Sequence, residues 1–216
     1  MSSTSHQHIH SSRIDYSTGT LDLNSVSVDP FTQFEGWMSF ALSQNYIEPN
    51  AMTLSTVSSH NRPSSRIVLL RDHSPQGFVF YTNYESKKGM DLNSNPFAAL
   101  NFFWPSLEKQ IRIEGTVIKT PVQMSDDYFN SRPLESRIGA VASAQSTVIN
   151  SRDVLEEKVK ALSSTLGQIV PRPSHWGGYI LKPDYFEFWQ GRSSRLHDRI
   201  CYQLQQNQWK IERLSP

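Results

Sequence analysis

Residues 188–199, FWQGRSSRLHDR, hold three arginines, one histidine and two aromatic rings within a single short stretch. Successive side chains of an extended strand alternate between faces, so Arg195, His197 and Arg199 are expected to project together. Leu196, Asp198 and Ile200 would project the other way. A row of cationic donors beside Trp189 suits a ligand that is flat and anionic. The competing explanation is an edge strand whose charges discourage unwanted pairing.

Three further stretches carry donors. In YFNSRPLES, Tyr128, Arg132 and Ser136 stand at i, i+4 and i+8, one face of a helix. A phenol, a guanidinium and a hydroxyl make a sensible set for one phosphate group. Pro133 biases Arg132 away from helical angles, so two short helices meeting at Arg132 are expected. In RIVLLR, Arg66 and Arg71 bracket Ile67, Val68, Leu69 and Leu70, whose backbone can bond the polar edge of a flat ring. YTNYESKKG places Tyr81 and Thr82 at a strand end, with Lys87 and Lys88 at the start of a helix, a second anion site. Charged caps and solvated helix faces explain each stretch separately. Two anion sites with aromatic neighbours point to two phosphorylated ring compounds in one cavity, a cofactor and a substrate.

The elements that must position these groups are legible. DPFTQFEGWMSFALSQ starts a helix, with Asp29 as N-cap, Pro30 in the first turn and Phe31, Phe34, Met38 and Leu42 as its buried stripe. From Ala51 the period becomes that of strands. AMTLSTVS, SRIVLLR, GFVFYTN, AALNFFW and KQIRIEGTVIKT are short, β-branched or aromatic, and divided by turn formers. Such short connections favour antiparallel neighbours, hence a barrel or sandwich. Helices return with SDDYFNSRP, starting at Ser125, and with SRDVLEEKVKALSSTLG, which carries Val154, Leu155, Val159, Leu162 and Leu166 on one stripe. WGGYILKPDYFEFWQG, SRLHDRICYQL and QWKIERLSP read as strands, the last two a hairpin across QQNQ. The expectation is a β-rich α+β fold, one domain over residues 29–216, with a mostly mobile segment at 1–28.

Composition excludes several classes. The formal charge of +1 argues against a nucleic-acid protein working by bulk electrostatics. A single cysteine, Cys201, rules out an internal disulfide framework and a cysteine-rich zinc site. It reads as an inert half-buried thiol. His6, His8 and His10 alternate, but a tail with chance histidines is the better reading, and no metal site is expected. No apolar run spans a membrane and the N-terminus lacks the apolar core of a signal peptide, so a soluble, cytoplasmic setting is expected. Ser106 and Lys109 match S-x-x-K by chance, since the companion motifs are missing. No Walker loop or G-x-G-x-x-G opens a helix after a strand, so side chains must hold any phosphate.

From Arg13 to Pro216 the chain resembles the pyridoxine (pyridoxamine) 5'-phosphate oxidase family. RIVLLR, FVFYTNYESKKG, KQIRIEG, YFNSRP, SRIGAVASAQS, HWGGY, EFWQGRSSRLHDRI and the ending WKIERLSP carry the resemblance. It implies a split β-barrel with outer helices, forming a homodimer with FMN in clefts at the subunit interface. By matching motif, the FMN contacts would be Arg66 to Arg71, Tyr81, Thr82, Lys87, Lys88, Gln110, Gln145, Ser146, Trp189 and Arg199. Arg71, Tyr128, Arg132 and Ser136 would grip the substrate phosphate. Arg195, Leu196 and His197 would meet the pyridine ring, Arg195 and His197 as the catalytic pair. Arg13 and Tyr16 would fold over it as a lid.

The implied reaction oxidises pyridoxine 5'-phosphate or pyridoxamine 5'-phosphate to pyridoxal 5'-phosphate, with molecular oxygen giving hydrogen peroxide. Two positions depart from the family pattern. Residue 71 is usually lysine and residue 87 usually arginine, and both exchanges keep charge while altering geometry. Two rival functions would leave a different pattern. Another FMN oxidoreductase on the same barrel would lose Tyr128, Arg132, Ser136 and RLH. A non-catalytic pyridoxal phosphate carrier would hold no stoichiometric flavin.

Overall fold

A computed structural model describes residues 14–216 of this chain. Its fold is β-rich α+β, built on one antiparallel sheet. In chain order the elements are α1 (Pro30–Ser43), β1 (Ala51–Val57), β2 (Pro63–Leu69), β3 (Asp72–Ser74), β4 (Gly77–Asn83), α2 (Lys87–Ser94) and β5 (Phe97–Trp104). β6 (Lys109–Lys119), α3 (Val122–Ser131), α4 (Leu134–Ala142), α5 (Arg152–Leu166), β7 (Trp176–Gln190), β8 (Asp198–Gln205) and β9 (Gln208–Leu214) follow. The sheet order is β2-β1-β5-β6-β7-β4-β3, with β8 between β7 and β9. The split barrel that the family resemblance implies is the class observed, and the short strands are antiparallel neighbours as their connections suggest. No helix among the described residues is long and apolar enough to cross a membrane.

Two compact units emerge, and β5, β6 and β7 run through both. One comprises the described residues up to Tyr46 with Phe103–Ile111 and Glu187–Pro216; the other comprises Ile47–Phe102 and Arg112–Phe186.

In the first unit, α1 begins as its sequence dictates, with Thr32 N–H donating to the Asp29 carboxylate at 2.9 Å and Pro30 in the first turn. Its stripe is shifted from expectation. Phe34, Trp37, Met38 and Ala41 are buried, whereas Leu42 is 58% exposed. The stripe turns because Trp37 packs edge-on against Phe188, at 5.3 Å between centroids. Residues 14–28 have no regular structure, yet they are tied down. Thr18 N–H donates to Glu108 at 2.9 Å, Leu21 N–H to Asp198 at 3.1 Å, and the Tyr202 hydroxyl to Ser27 O at 2.7 Å. β8 and β9 form the expected hairpin, with Gln206 and Asn207 both at positive φ, as a tight two-residue turn requires.

In the second unit β1 pairs with β2 from Ala51↔Leu69 to Val57↔Pro63, leaving β2 at the sheet edge. β4 pairs with β7 from Phe78↔Leu181 to Asn83↔Trp176. The helix expected to start at Ser125 starts at Val122, because Pro121 supplies the N-terminal turn and the Ser125 hydroxyl is engaged by Thr120 at 2.7 Å. The chain breaks at Arg132, whose φ of −74° and ψ of 149° are extended, and resumes as α4. That is the two-helix arrangement Pro133 demands. α5 ends at Gly167, φ 57°, as expected, but no residue in it is buried. Only Val159, Leu162 and Leu166 of its stripe lie against the cluster of Phe129, Ile138, Val170 and Trp176.

Candidate active site

The second unit holds a cavity of about 540 Å³. Arg66, Ile67, Val68 and Leu69 of β2 line one wall, with Arg71 beyond the strand end. Tyr81 and Thr82 of β4, Lys88 of α2, Tyr128, Arg132, Gln145 and Trp176 complete the chemistry. Four cationic side chains face this space, and no carboxylate is among the lining residues.

One end is a polar nest around Lys88. This side chain is 8% exposed, and its ammonium donates to Thr82 Oγ1 at 3.1 Å, Ser86 Oγ at 3.1 Å and Gln145 Oε1 at 3.2 Å. All three partners are neutral. Burial, reinforced by the nearby charge of Arg66, brings the Lys88 pKa down to about 8. Ser86 caps α2, accepting from Gly89 N–H at 3.3 Å, so Lys88 sits in the first turn of a helix, where the backbone favours anions.

The other end is aromatic. Tyr81, Tyr128 and Trp176 stack nearly parallel, with Tyr81 and Tyr128 only 3.9 Å apart and Tyr81 and Trp176 5.6 Å apart. Gly178 makes room for this stack, since a β-carbon there would stand 2.8 Å from the Tyr81 ring. Burial, then the neighbouring Tyr128, pushes the Tyr81 phenol up to about 12, so it stays protonated. The Arg132 guanidinium lies 4.7 Å from the Trp176 centroid and Arg71 5.9 Å from that of Tyr128. Nη1 of Arg132 is buried with no hydrogen-bond partner. Such a donor is costly unless a ligand supplies its acceptor.

A second cavity, of about 590 Å³, belongs to the first unit and is lined by Ile14, Asp15, Tyr16, Arg192, Ser194, Arg195 and His197. Tyr16 meets Trp189 and His197 edge-on, each at 5.7 Å between centroids, and a β-carbon on Gly191 would stand 2.7 Å from the Tyr16 ring. Arg192 N–H donates to His197 Nδ1 at 3.1 Å. Here the expected alternation fails. β8 starts at Asp198, and Ser194 and Arg195 occupy a tight turn at φ 55° and 62°. Arg195 and His197 therefore share a cavity as loop residues, not as neighbours on a strand face. Arg199 is bound within its own unit. Nε and Nη2 donate to the buried Glu187 carboxylate at 2.8 and 3.1 Å, and Nη1 to Ser215 O at 2.8 Å.

Residues 41–165 match the pyridoxamine 5'-phosphate oxidase family, and residues 176–216 match the pyridoxine 5'-phosphate oxidase C-terminal dimerisation region. The chain belongs to the pyridoxine/pyridoxamine 5'-phosphate oxidase family. The family member of Burkholderia multivorans is 55% identical over 207 residues, covering 94% of this chain and 97% of that one. That of Actinobacillus succinogenes is 52% identical over 208 residues, covering 96% and 99%. Among solved structures, PhzG of Burkholderia lata, in complex with tetrahydrophenazine-1-carboxylic acid, superposes with a TM-score of 0.86. It is 30% identical and covers 92% of this chain and 100% of that one. A pyridoxamine 5'-phosphate oxidase-related, FMN-binding protein of Nostoc punctiforme shares the fold at 17% identity, with a TM-score of 0.68 and coverage of 85% and 97%.

Of the residues singled out in the sequence, Arg66, Ile67, Val68, Leu69, Arg71, Tyr81, Thr82, Lys88, Tyr128, Arg132 and Gln145 line one cavity. Others do not. Leu70 is buried, and its N–H is taken by Asn50 O at 2.8 Å. Lys87 pairs with Asp91 at 3.2 Å instead of lining the cavity, because one helical turn separates them. Ser136, half-buried on α4, is not in the lining, nor is Gln110 of β6. Ser146, at φ 73°, lines a neighbouring groove with Val148 and Leu155. Leu196 is 70% exposed and outside the second cavity's lining. Arg13 and His6, His8 and His10 lie outside the described residues. Trp176 was missed by sequence reasoning, although HWGGY opens a strand whose partner carries Tyr81.

Proposed function

We propose that this chain oxidises pyridoxine 5'-phosphate and pyridoxamine 5'-phosphate to pyridoxal 5'-phosphate, using FMN and molecular oxygen. One observation carries the reading: a cavity lined by four cations and no carboxylate, at 540 Å³ within the usual size for a cofactor site. The residues fit FMN. Arg66 supplies donors and Lys88 positive charge for its phosphate, with Thr82 and Gln145 holding the ammonium in place, and the free edge of β2 at Ile67 to Leu69 offers backbone groups to a flat polar ring. FMN, when bound, supplies the hydride acceptor and the route by which oxygen becomes hydrogen peroxide.

The protein's own part is binding and orientation. Arg132 and Tyr128, with Arg71, hold the substrate phosphate; the unpartnered Nη1 of Arg132 is the donor awaiting it. Ser136 joins this set only if α4 shifts. Arg195 and His197 act on the pyridine ring, the guanidinium countering charge that develops during transfer. With Nδ1 accepting from Arg192, a neutral His197 carries its proton on Nε2 and presents that as a donor. Tyr16 closes over the ring. The match to a dimerisation region supports a homodimer. In that dimer each site would draw residues from both chains, with FMN, Gln110, Ser146, Trp189 and Arg199 at the subunit interface; the cytoplasm is the setting proposed for it.

A second reading, a flavin oxidase acting on a non-phosphorylated planar acid, is favoured by the likeness to PhzG. Anaerobic titration of the FMN-loaded protein with pyridoxine 5'-phosphate separates the two. Bleaching of the flavin band, reversed by air, supports the first. A flavin that stays oxidised with both phosphorylated substrates rejects it.

A further inference from the structure

Behind Arg66 lies a buried relay. Thr56, on β1, is fully buried, and its hydroxyl donates to Asp91 Oδ2 at 2.8 Å. A hydroxyl has one proton; with that proton given to Asp91, its oxygen can only accept. Arg66 Nη1 donates to it at 2.8 Å. Asp91 is itself buried on α2, 4.0 Å from Arg66 Nη2, and holds Lys87 on its outer side. Nη1 also donates to Leu54 O at 3.2 Å and Nη2 to Ser64 Oγ at 2.6 Å. Three of the five guanidinium protons are thus fixed to the wall by these three bonds, and two remain, one on Nη2 and one on Nε.

We propose that Thr56, oriented by Asp91, is a positioning residue that fixes Arg66 so that its two remaining donors grip the cofactor phosphate. The inference rests on the proposed function, in which Arg66 faces FMN. It differs from a packing role in one respect. Packing would serve the whole cofactor, whereas the relay acts only on the group that Arg66 touches. Losing it should therefore change the preference for FMN over riboflavin, which lacks the phosphate.

The test is fluorescence titration of the apoprotein with FMN and with riboflavin. Thr56→Val is expected to weaken FMN about tenfold, the loss of one hydrogen bond to a charged group, and to leave riboflavin unchanged. Thr56→Ser, which keeps the hydroxyl, should restore FMN affinity. Ser55→Ala serves as control, since its hydroxyl pairs with Ser65 Oγ at 2.9 Å away from Arg66. If Thr56→Val does not fold, Thr56→Cys keeps the volume with only a weak acceptor and is read in the same way. A folded Thr56 variant with an unchanged FMN-to-riboflavin ratio overturns the proposal, as does a Ser variant as weak as Val. A wild-type protein that binds FMN no better than riboflavin removes the anion-site reading first, and the relay with it.

Discussion

Arg192 and His197 are joined by a single backbone bond, N–H to Nδ1 at 3.1 Å, across a turn whose residues Ser194 and Arg195 both adopt the left-handed region. That conformation costs a non-glycine residue roughly 1 kcal/mol, so the turn is held by what surrounds it. Arg192 also reaches Asp198 at 3.3 Å, and Arg213 reaches the same carboxylate at 2.7 Å. The bond to Nδ1 decides which imidazole nitrogen is left to act.

His197→Gln retains a donor near the Nε2 position, whereas His197→Ala retains none. Steady-state kinetics should show kcat/KM falling about a hundredfold in the alanine variant and less in the glutamine variant, with melting temperatures close to wild type. Arg195→Ala should behave like His197→Ala. Parallel losses of stability and activity would show that these residues serve folding.

Lys88 gives a pH dependence with two opposite signs. Its folded pKa, about 8, lies below the unfolded value, so the unfolded chain binds more protons between about 8 and 10.5. Apoprotein stability contributed by this group therefore rises with pH through that window. Anion binding needs the charged ammonium, so affinity for FMN should fall as pH rises through about 8. Fluorescence titrations at pH 7 and 9 check this, and Lys88→Met should flatten the difference. An affinity that is level across pH 7–9 in the wild type contradicts it.

Arg132 carries a buried unpartnered donor, and removing it should separate binding from stability. Arg132→Met keeps a long apolar side chain over Trp176, so the melting temperature should hold or rise, since an unsatisfied buried donor costs about 1–3 kcal/mol. KM for pyridoxine 5'-phosphate should rise at least about tenfold. Arg132→Lys should not rescue it, because a lysine cannot both stack on the ring and fork towards a phosphate. A lower melting temperature with unchanged KM would count against the assignment.

Thr18 anchors the segment that carries Tyr16. Its N–H and hydroxyl both donate to Glu108 Oε2, at 2.9 and 2.8 Å. Thr18→Val removes the hydroxyl bond and leaves Glu108 under-solvated, so local opening of residues 14–20 should become easier by about 1 kcal/mol. Hydrogen exchange of these amides reports it directly. Unchanged protection would mean that the Leu21 bond to Asp198 and the ring contacts of Tyr16 hold the segment alone.

Local chemistry determined much of this protein from sequence alone. The Asp29 cap, the Pro133 break, the Gln206–Asn207 turn and the period-two strands depend on near neighbours, and those forces act alike in any fold. The gathering of Arg66, Lys88, Tyr128 and Arg132 was also legible, through a family motif that records the tertiary outcome. Only the folded chain settled where adjacent residues part company. Arg199 and His197 are two positions apart, yet a buried carboxylate, Glu187, claims one while a turn delivers the other to a cavity. Lys87 and Lys88 differ in the same way, one held by Asp91 and one enclosed by neutral oxygens. A side chain's partner is chosen by distant residues brought near by packing, and spacing along the chain carries no record of them.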